Sequence, residues 1–262
     1  MSVKIGLVIP VVQTKFVLAL VEKLLKGCRR TDLAICIVND GKEEVAKYMA
    51  GRKLPAQVHL LDLPENRRFA GANNAGWRHL IKLYPSLAYL GTINDDTVPA
   101  PGCVEEMVSC LEEHPRTAVA MPVMLVGNRF FPKSYAVWKL GDAEVPLVPL
   151  HHKITSDAFT SVINGFCFMA AREAMEEVGF FDERYSNSCE DVDLALKLLT
   201  CNWRIIVSKK TMVYHHEAQS RYLVGSGTDL DASHQLLLEK WGRDLSRYNN
   251  LNANGFLIHD PE

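Results

Sequence analysis

The sequence predicts an α/β fold: a mostly parallel sheet flanked by helices, with a smaller second half. Three observations predict it. Short apolar runs alternate with longer amphipathic ones through the first 126 residues, the pattern of strands joined by helical crossovers. Two of the strand-like runs end in acids, at Asp40 and at Asn94-Asp95-Asp96. Beyond Gly127 the rhythm breaks, then resumes near Gly165.

Taken in order, Val3–Pro10 reads as a strand and Thr14–Lys26 as a helix, with Phe16, Leu20 and Leu24 on one face and a stop at Gly27. Asp32–Asn39 is a β-branched strand closed by the turn signal Asn39-Asp40-Gly41. A short helix over Lys42–Met49 precedes a strand over Gln57–Leu63, and a helix is expected near Ala72–Leu83. Leu87–Asn94 reads as a strand, Gly102–His114 as a helix and Thr117–Val126 as a strand. Gly127–Thr160 is Pro-rich, aromatic and longer than an ordinary connection. A strand over Gly165–Ala171, helices over Arg172–Val178 and Glu190–Cys201, short strands over Arg204–Val207 and Met212–Tyr214, and a helix over Ala232–Gly242 complete the expectation. Residues 1–220 are read as one domain, split into halves 1–126 and 127–220, with 221–262 a C-terminal helical tail.

Composition sets outer bounds. The 262 residues are 48% hydrophobic and carry a formal charge of −2, which gives no support for broad nucleic-acid binding, although a local basic groove is compatible with it. The seven cysteines are odd in number and have no CxxC spacing, which favours buried free thiols over a disulfide framework or a zinc site. No run is long enough for a membrane span, so the chain is read as soluble and cytoplasmic.

In parallel sheets ligands bind beyond the carboxyl ends of the strands, so the acids at 40 and 94–96 converge on one rim. Consecutive carboxylates repel a diphosphate unless a hard divalent cation takes oxygen ligands from both; a plain turn explains the same residues as well. Asp40 before Gly41 suits hydrogen bonds from a base or ribose, or a simple Asx-turn. Glu190 and Asp191 open an amphipathic helix. Either residue there can serve as general base toward a hydroxyl, and Ser188-Cys-Glu-Asp191 also fits a capping box. His215-His216 closes a strand. Adjacent strand residues face opposite ways, so at most one reaches a site as a metal ligand. The small-residue stretch Asn66–Gly76 leads into a helix N-terminus, compatible with phosphate or with close helix–sheet packing.

The ordered set Ile37-Val-Asn-Asp40-Gly41, Asn66-Arg-Arg-Phe-Ala-Gly71-Ala-Asn73-Asn74-Ala-Gly76, Ile93-Asn-Asp-Asp96-Thr97, Gly179-Phe-Phe-Asp182-Glu-Arg-Tyr185, Glu190-Asp191-Val-Asp193 and Val213-Tyr-His215-His216 resembles family 2 glycosyltransferases, in the rhamnosyltransferase-like branch, over about residues 3–220. The resemblance implies a GT-A fold and an inverting displacement of sugar from a nucleoside diphosphate, a UDP- or dTDP-sugar, onto an acceptor hydroxyl. Asp40 would contact the base or ribose, with Pro10, Asn66, Arg68, Asn73, Asn74, Asn94 and Asp95 on the same cofactor side. Asp96 would be the principal ligand of Mn2+ or Mg2+, His215 a further ligand, and Asp191 the base, with Glu190 beside it. Asn164, Gly165 and Trp203 would flank the acceptor, and the acceptor could draw the enzyme to a membrane periphery. Two departures lie on the nucleotide side: Pro10 is followed by Val11-Val12-Gln13, and Arg68 stands where the family often has Gly.

Two rivals remain at this level. A nucleotidyltransferase making nucleotide sugars would carry a Gly-rich, basic loop after the first strand, whereas Pro10–Lys15 has no glycine. A non-catalytic nucleotide-sugar binder would bind donor without turnover. Gly127–Thr160, with Tyr135, Trp138, His151 and His152, is expected to help form the acceptor pocket, though a disordered surface insertion explains the same segment; Glu217–Thr228, with Gly225 and Gly227, is expected to act as a flap over the donor.

Overall fold

The structure is a computed structural model that describes residues 2–11, 13–126, 137–140, 143–146, 156–216 and 230–242. The strands are β1 (Ile5–Val11), β2 (Leu33–Asn39), β3 (Val58–Asp62), β4 (Tyr89–Ile93), β5 (Thr97–Pro99), β6 (Thr117–Val126), β7 (Val137–Leu140), β8 (Ala143–Pro146), β9 (Ala158–Thr160), β10 (Cys167–Ala171) and β11 (Arg204–His215). The helices are α1 (Val17–Gly27), α2 (Glu43–Met49), α3 (Arg68–Leu83), α4 (Cys103–Glu113), α5 (Arg172–Val178), α6 (Glu190–Thr200) and α7 (Leu230–Trp241).

One sheet runs β3-β2-β1-β4-β10-β6-β11-β5, with β9 added beside β11. Period-2 alternation sends its side chains to two cores. Ile5, Leu7, Ile9, Ile35 and Ile37 meet Leu20 and Leu24 of α1, Val45 of α2 and Met107 and Val108 of α4. Val8, Cys36, Val38, Leu90 and Phe168 meet Trp77 and Leu80 of α3, Met175 of α5, Leu194 and Leu198 of α6 and Leu237 of α7. The result is three layers, helices on both faces of a sheet. Gly76 permits close seating of α3: a Cβ there would stand 2.7 Å from Val8 and 2.8 Å from Val38.

Strands β3, β2, β1 and β4 are mutually parallel, as expected. β10, from the second half, runs antiparallel between β4 and β6 of the first, so a single sheet carries both halves. Its reversal has a consequence for the rim. Cys167, the start of β10, pairs with Ile93, the end of β4, so the chain enters β10 where its neighbours exit.

Three expectations are corrected. The sequence pattern assigns no element to Thr97–Pro99, which nevertheless forms β5, pairing with Val213–His215. Proline is tolerated there because β5 is the edge of the sheet. Arg204–His215 is one strand, not two, with an irregularity between Ser208 and Met212 where Lys209 and Lys210 face solvent. The break in rhythm after Gly127 is not complete, since β7 and β8 form a hairpin and β9 joins the sheet. Tyr135, His151, His152 and the expected flap 217–228 lie outside the described residues, as does the side chain of Trp138.

All seven cysteines carry free thiols. Among the described residues, no helix is long and apolar enough to cross a membrane.

Candidate active site at the carboxyl rim

Four chain segments meet at the rim: the turn after β2, the turn after β4, the segment entering β10 and the end of β11. The first holds Asp40, which is buried. Its Oδ1 accepts a hydrogen bond of 2.6 Å from the Arg67 backbone N–H. Burial raises the Asp40 carboxyl above its ordinary range, while the backbone N–H groups of Arg67 and Arg68 pull the other way. Gly41 is required by the turn. It has φ of 70°, and a Cβ would stand 2.4 Å from the Glu65 carbonyl carbon.

The second segment holds Asp95 and Asp96, both buried, with half-buried Asn94 before them. The Asn94 N–H donates to the Phe166 carbonyl at 2.8 Å, and the Thr97 hydroxyl donates back to the Asn94 carbonyl at 2.7 Å. β5 then turns directly along the end of β11, placing Thr97 opposite His215. His215 Nε2 lies 3.1 Å from Asp96 Oδ1. Of the two histidines only His215 reaches the acid through its ring, as alternation on a strand requires. His216 stacks on Phe16 at 5.2 Å and gives its backbone N–H to the Asp96 carbonyl at 2.9 Å.

The third segment joins the rim to α6. Gly165 N–H donates to Asp191 Oδ2 at 3.2 Å, and the next residue, Phe166, stacks on the His215 ring at 5.2 Å with 19° between planes. Gly165 has little room for a side chain, since a Cβ would come within 3.2 Å of the Phe69 ring and 3.6 Å of Asp191 Oδ2. Asp96, His215, Phe166, Gly165 and Asp191 therefore form one contiguous string.

The capping-box explanation of Asp191 is not realised. Cys189, not Ser188, is the N-cap of α6, in left-handed conformation with φ of 71°, and no side chain caps the helix. Buried Glu190 is its first residue. Asp191 is half-buried, and its Oδ1 accepts from the Val192 N–H at 2.9 Å, its Oδ2 from Gly165. Asn164 lies beside Gly165, its backbone N–H directed at the Met121 sulfur at 3.2 Å and its side-chain amide at the Met124 sulfur at 3.6 Å.

Other expected residues are placed differently. Asn73 and Asn74 sit inside α3, because the helix starts at Arg68 rather than Ala72. Asn73 accepts from the Thr92 hydroxyl at 2.6 Å and donates to the Phe69 carbonyl at 2.9 Å. Asn74 donates to the Phe181 carbonyl and to Glu183, and accepts from Phe181 N–H. Both buried amides are thus committed to protein partners in place of the expected nucleotide contact. Trp203 is at the wrong end of the sheet for an acceptor: it precedes Arg204, which opens β11, whereas His215 closes it. Its indole N–H donates to Glu177 and its ring lies under the Arg116 guanidinium.

Pro10 lies near the end of β1, opposite Val38. Exposed Asn66 accepts from the Arg68 N–H at 2.9 Å. Arg68 itself has φ of 61°, the left-handed region that favours glycine, which gives a physical reason for the family's frequent glycine there.

Sequence reasoning missed Phe69 and Phe166, which pack against Gly165 and His215, and the clasp of Arg67 and Arg78 on Glu183. The Gly179–Tyr185 motif was the available signal for the clasp, but residue spacing gave it no role.

A family model described as "Glycosyl transferase family 2" matches residues 7–179, a span that holds Asp40, Asp96 and Gly165. The chain belongs to glycosyl transferase family 2. Over 139 residues, 49% of this chain, it is 29% identical to "O-antigen biosynthesis protein RfbC" of Myxococcus xanthus. Over 58 residues, 22% of this chain, it is 40% identical to "N-acetylglucosaminyl-diphospho-decaprenol L-rhamnosyltransferase" of Mycobacterium tuberculosis. The matched stretches cover 11% and 19% of these relatives' own lengths. Among solved structures it superposes on GalNAc-T7 with UDP, GalNAc and Mn2+ at a TM-score of 0.70 and 15% identity, covering 95% of this chain and 49% of that one. It superposes on the mannosyltransferase PcManGT of Pyrobaculum calidifontis, in complex with GDP-Man and Mn2+, at a TM-score of 0.60 and 16% identity, covering 85% of this chain and 59% of that one. The fold of this family 2 member is GT-A, with β10 and β11 carrying the second half.

Proposed function

We propose that this family 2 member transfers a sugar, with inversion, from a nucleoside-diphosphate sugar to an acceptor hydroxyl, using a divalent cation. The observation that supports it best is the string from Asp96 and His215 through Phe166 and Gly165 to Asp191, which connects a ligand pair to a candidate base through consecutive residues.

The ligand pair fits a cation. Two donors at ~2.1–2.2 Å from a metal and at right angles stand about 3.0 Å apart, and Asp96 Oδ1 and His215 Nε2 are 3.1 Å apart. A carboxylate oxygen suits Mn2+ and Mg2+ alike; the two similar structures were solved with Mn2+. A cation bound there would neutralise charge on the leaving diphosphate. Phe166 keeps the imidazole in its ligand orientation, and the backbone N–H of His216 fixes the Asp96 carbonyl.

Asp40, held by Arg67 N–H, would accept hydrogen bonds from the base or ribose of the donor. Asp191 would accept the acceptor proton as the acceptor oxygen bonds to the anomeric carbon. The bond from that carbon to the diphosphate oxygen breaks, and the electron pair leaves with the diphosphate. Inversion needs attack opposite the leaving group, so base and leaving group belong on opposite sides of the sugar. Asp191 stands on α6 and Asp96 beyond β4, with Gly165 and Phe166 between them.

The test is a screen of UDP-, dTDP- and GDP-sugars for Mn2+-dependent release of nucleoside diphosphate, followed by an acceptor screen with the active donor. Pyrophosphate as product would identify a nucleotidyltransferase instead. Donor binding with no turnover toward any acceptor or water would identify a binder.

A further inference from the structure

A second group of metal-ligating side chains lies away from the rim. Cys110 and His114 are one helical turn apart at the end of α4, so thiol and imidazole share a face. Asp157 reaches them from the segment before β9. Cys110 Sγ is 3.9 Å from His114 Nδ1 and 3.9 Å from Asp157 Oδ2, and the three ligand atoms all lie within 4.8 Å of one another.

The surrounding structure holds these groups in place. Asp157 Oδ1 accepts from the Lys209 N–H at 2.8 Å and the Ser208 hydroxyl at 3.3 Å, at the irregularity of β11, which leaves Oδ2 toward the thiol. The His114 ring is set edge-on against Phe159 at 5.8 Å. Outer partners of this kind orient ligands and strengthen metal binding. Burial, with the Asp157 carboxylate beside it, pushes the bare Cys110 thiol up to about 12. A cation among these groups would reverse that logic.

We infer that Cys110, His114 and Asp157 form a binding site for one zinc ion, with the fourth tetrahedral position open to water. Sulfur and nitrogen or oxygen ligands of tetrahedral zinc stand about 3.5 Å apart, so the gaps at the thiol close by about 0.4 Å. On binding, the thiol releases its proton to solvent. His114 Nδ1 now faces the Cys110 carbonyl at 2.9 Å; it turns its lone pair to the metal and carries its proton on Nε2. The thiolate distinguishes this site from the Asp96–His215 pair, because sulfur selects zinc over Mg2+ and Mn2+. Zinc here would fasten α4 to the strand that follows the long connection after β6, a structural task separate from the reaction.

The probe is the purified, metal-stripped full chain titrated with Co2+ and then Zn2+. One equivalent of Co2+ produces a thiolate charge-transfer band, zinc bleaches it, and excess Mg2+ does not. Cys110→Ser abolishes the band, while Cys28→Ser retains it. His114→Gln and Asp157→Asn, which keep the size and polarity of these half-buried side chains, weaken zinc at least about tenfold, and Ser208→Ala weakens it about tenfold. Zinc raises the melting temperature of the parent protein but not of Asp157→Asn. Absence of the band, its survival in Cys110→Ser, or equal zinc affinity in His114→Gln and Asp157→Asn overturns the assignment.

Discussion

Lys240, near the end of α7, places Nζ 2.7 Å from Oδ1 of Asp193, a fully buried carboxylate two residues beyond Asp191. Trp241 Nε1 donates to the same oxygen at 2.8 Å, the Tyr185 hydroxyl lies 3.3 Å from it, and Ser233 accepts from the Ser186 N–H at 3.0 Å. The last described helix therefore grips the helix that carries the candidate base.

Lys240→Met takes one cation from a buried carboxylate that keeps Lys197 at 3.9 Å and the Trp241 and Tyr185 donors. The expected loss is about 2 kcal/mol, that of a hydrogen bond to a charged group. The double variant with Asp193→Asn should recover much of that. Urea unfolding of the three proteins checks it; additive losses would mean that the pair is not coupled.

Asp182 gives a pH dependence. The Arg184 guanidinium first, and Lys240 after it, hold its carboxyl well below the usual carboxylate range against the opposing effect of burial. A folded pKa below the unfolded value of 3.8 means that the unfolded chain binds the proton more readily. The stabilisation is complete above about pH 4 and lost as pH falls below it. Asp182→Asn should therefore lower stability most near pH 7 and least near pH 2, flattening the acid limb of the profile, read from denaturation midpoints between pH 2 and 7.

At Gly165 packing and chemistry meet. Gly165→Ala presses a methyl on Phe69 and alongside Asp191 Oδ2. Small misplacements of a reacting group cost on the order of 10²-fold in rate, so turnover should fall about tenfold to a hundredfold with donor binding retained. A melting curve run beside the kinetics separates this from unfolding, since stability should change by less than about 1.5 kcal/mol.

Asp191→Asn tests the base directly. Transfer should drop about 10²- to 10⁴-fold, with Mn2+ and donor binding unchanged by calorimetry. Asp96→Asn should do the reverse, weakening Mn2+ binding first. If Asp191→Asn transfers as fast as the parent protein, the base lies elsewhere.

Arg68→Gly should stabilise the protein by about 1 kcal/mol, because its φ of 61° is unfavourable for an L side chain and natural for glycine. Thermal midpoints check the sign.

Much of this was legible because it was local. Continuous apolar runs over Ile5–Val11 and Leu33–Asn39 mark strands buried on both faces, and the acids at 40 and 96 follow from where the runs of β2 and β4 stop. The pairing of His215 with Asp96 needed the resemblance as well, since β5 was hidden behind two prolines. What sequence spacing could not show was contact across the chain. Nothing in the run Asn73-Asn74 distinguishes a ligand amide from one buried against Thr92 and Phe181. Trp203 was carried over with the resemblance, and a motif does not show that the residue stands where β11 begins, away from His215 at its end. Asp193 was legible as part of a motif, but its partners Lys240 and Trp241 lie some 48 residues further on.

The reversed direction of β10 separates two evolutionary liberties. The segment that enters β10 at Gly165 and the turns that carry Asp40 and Asp96 belong to different crossings of the sheet. A lineage can therefore vary one of these crossings without remodelling the others.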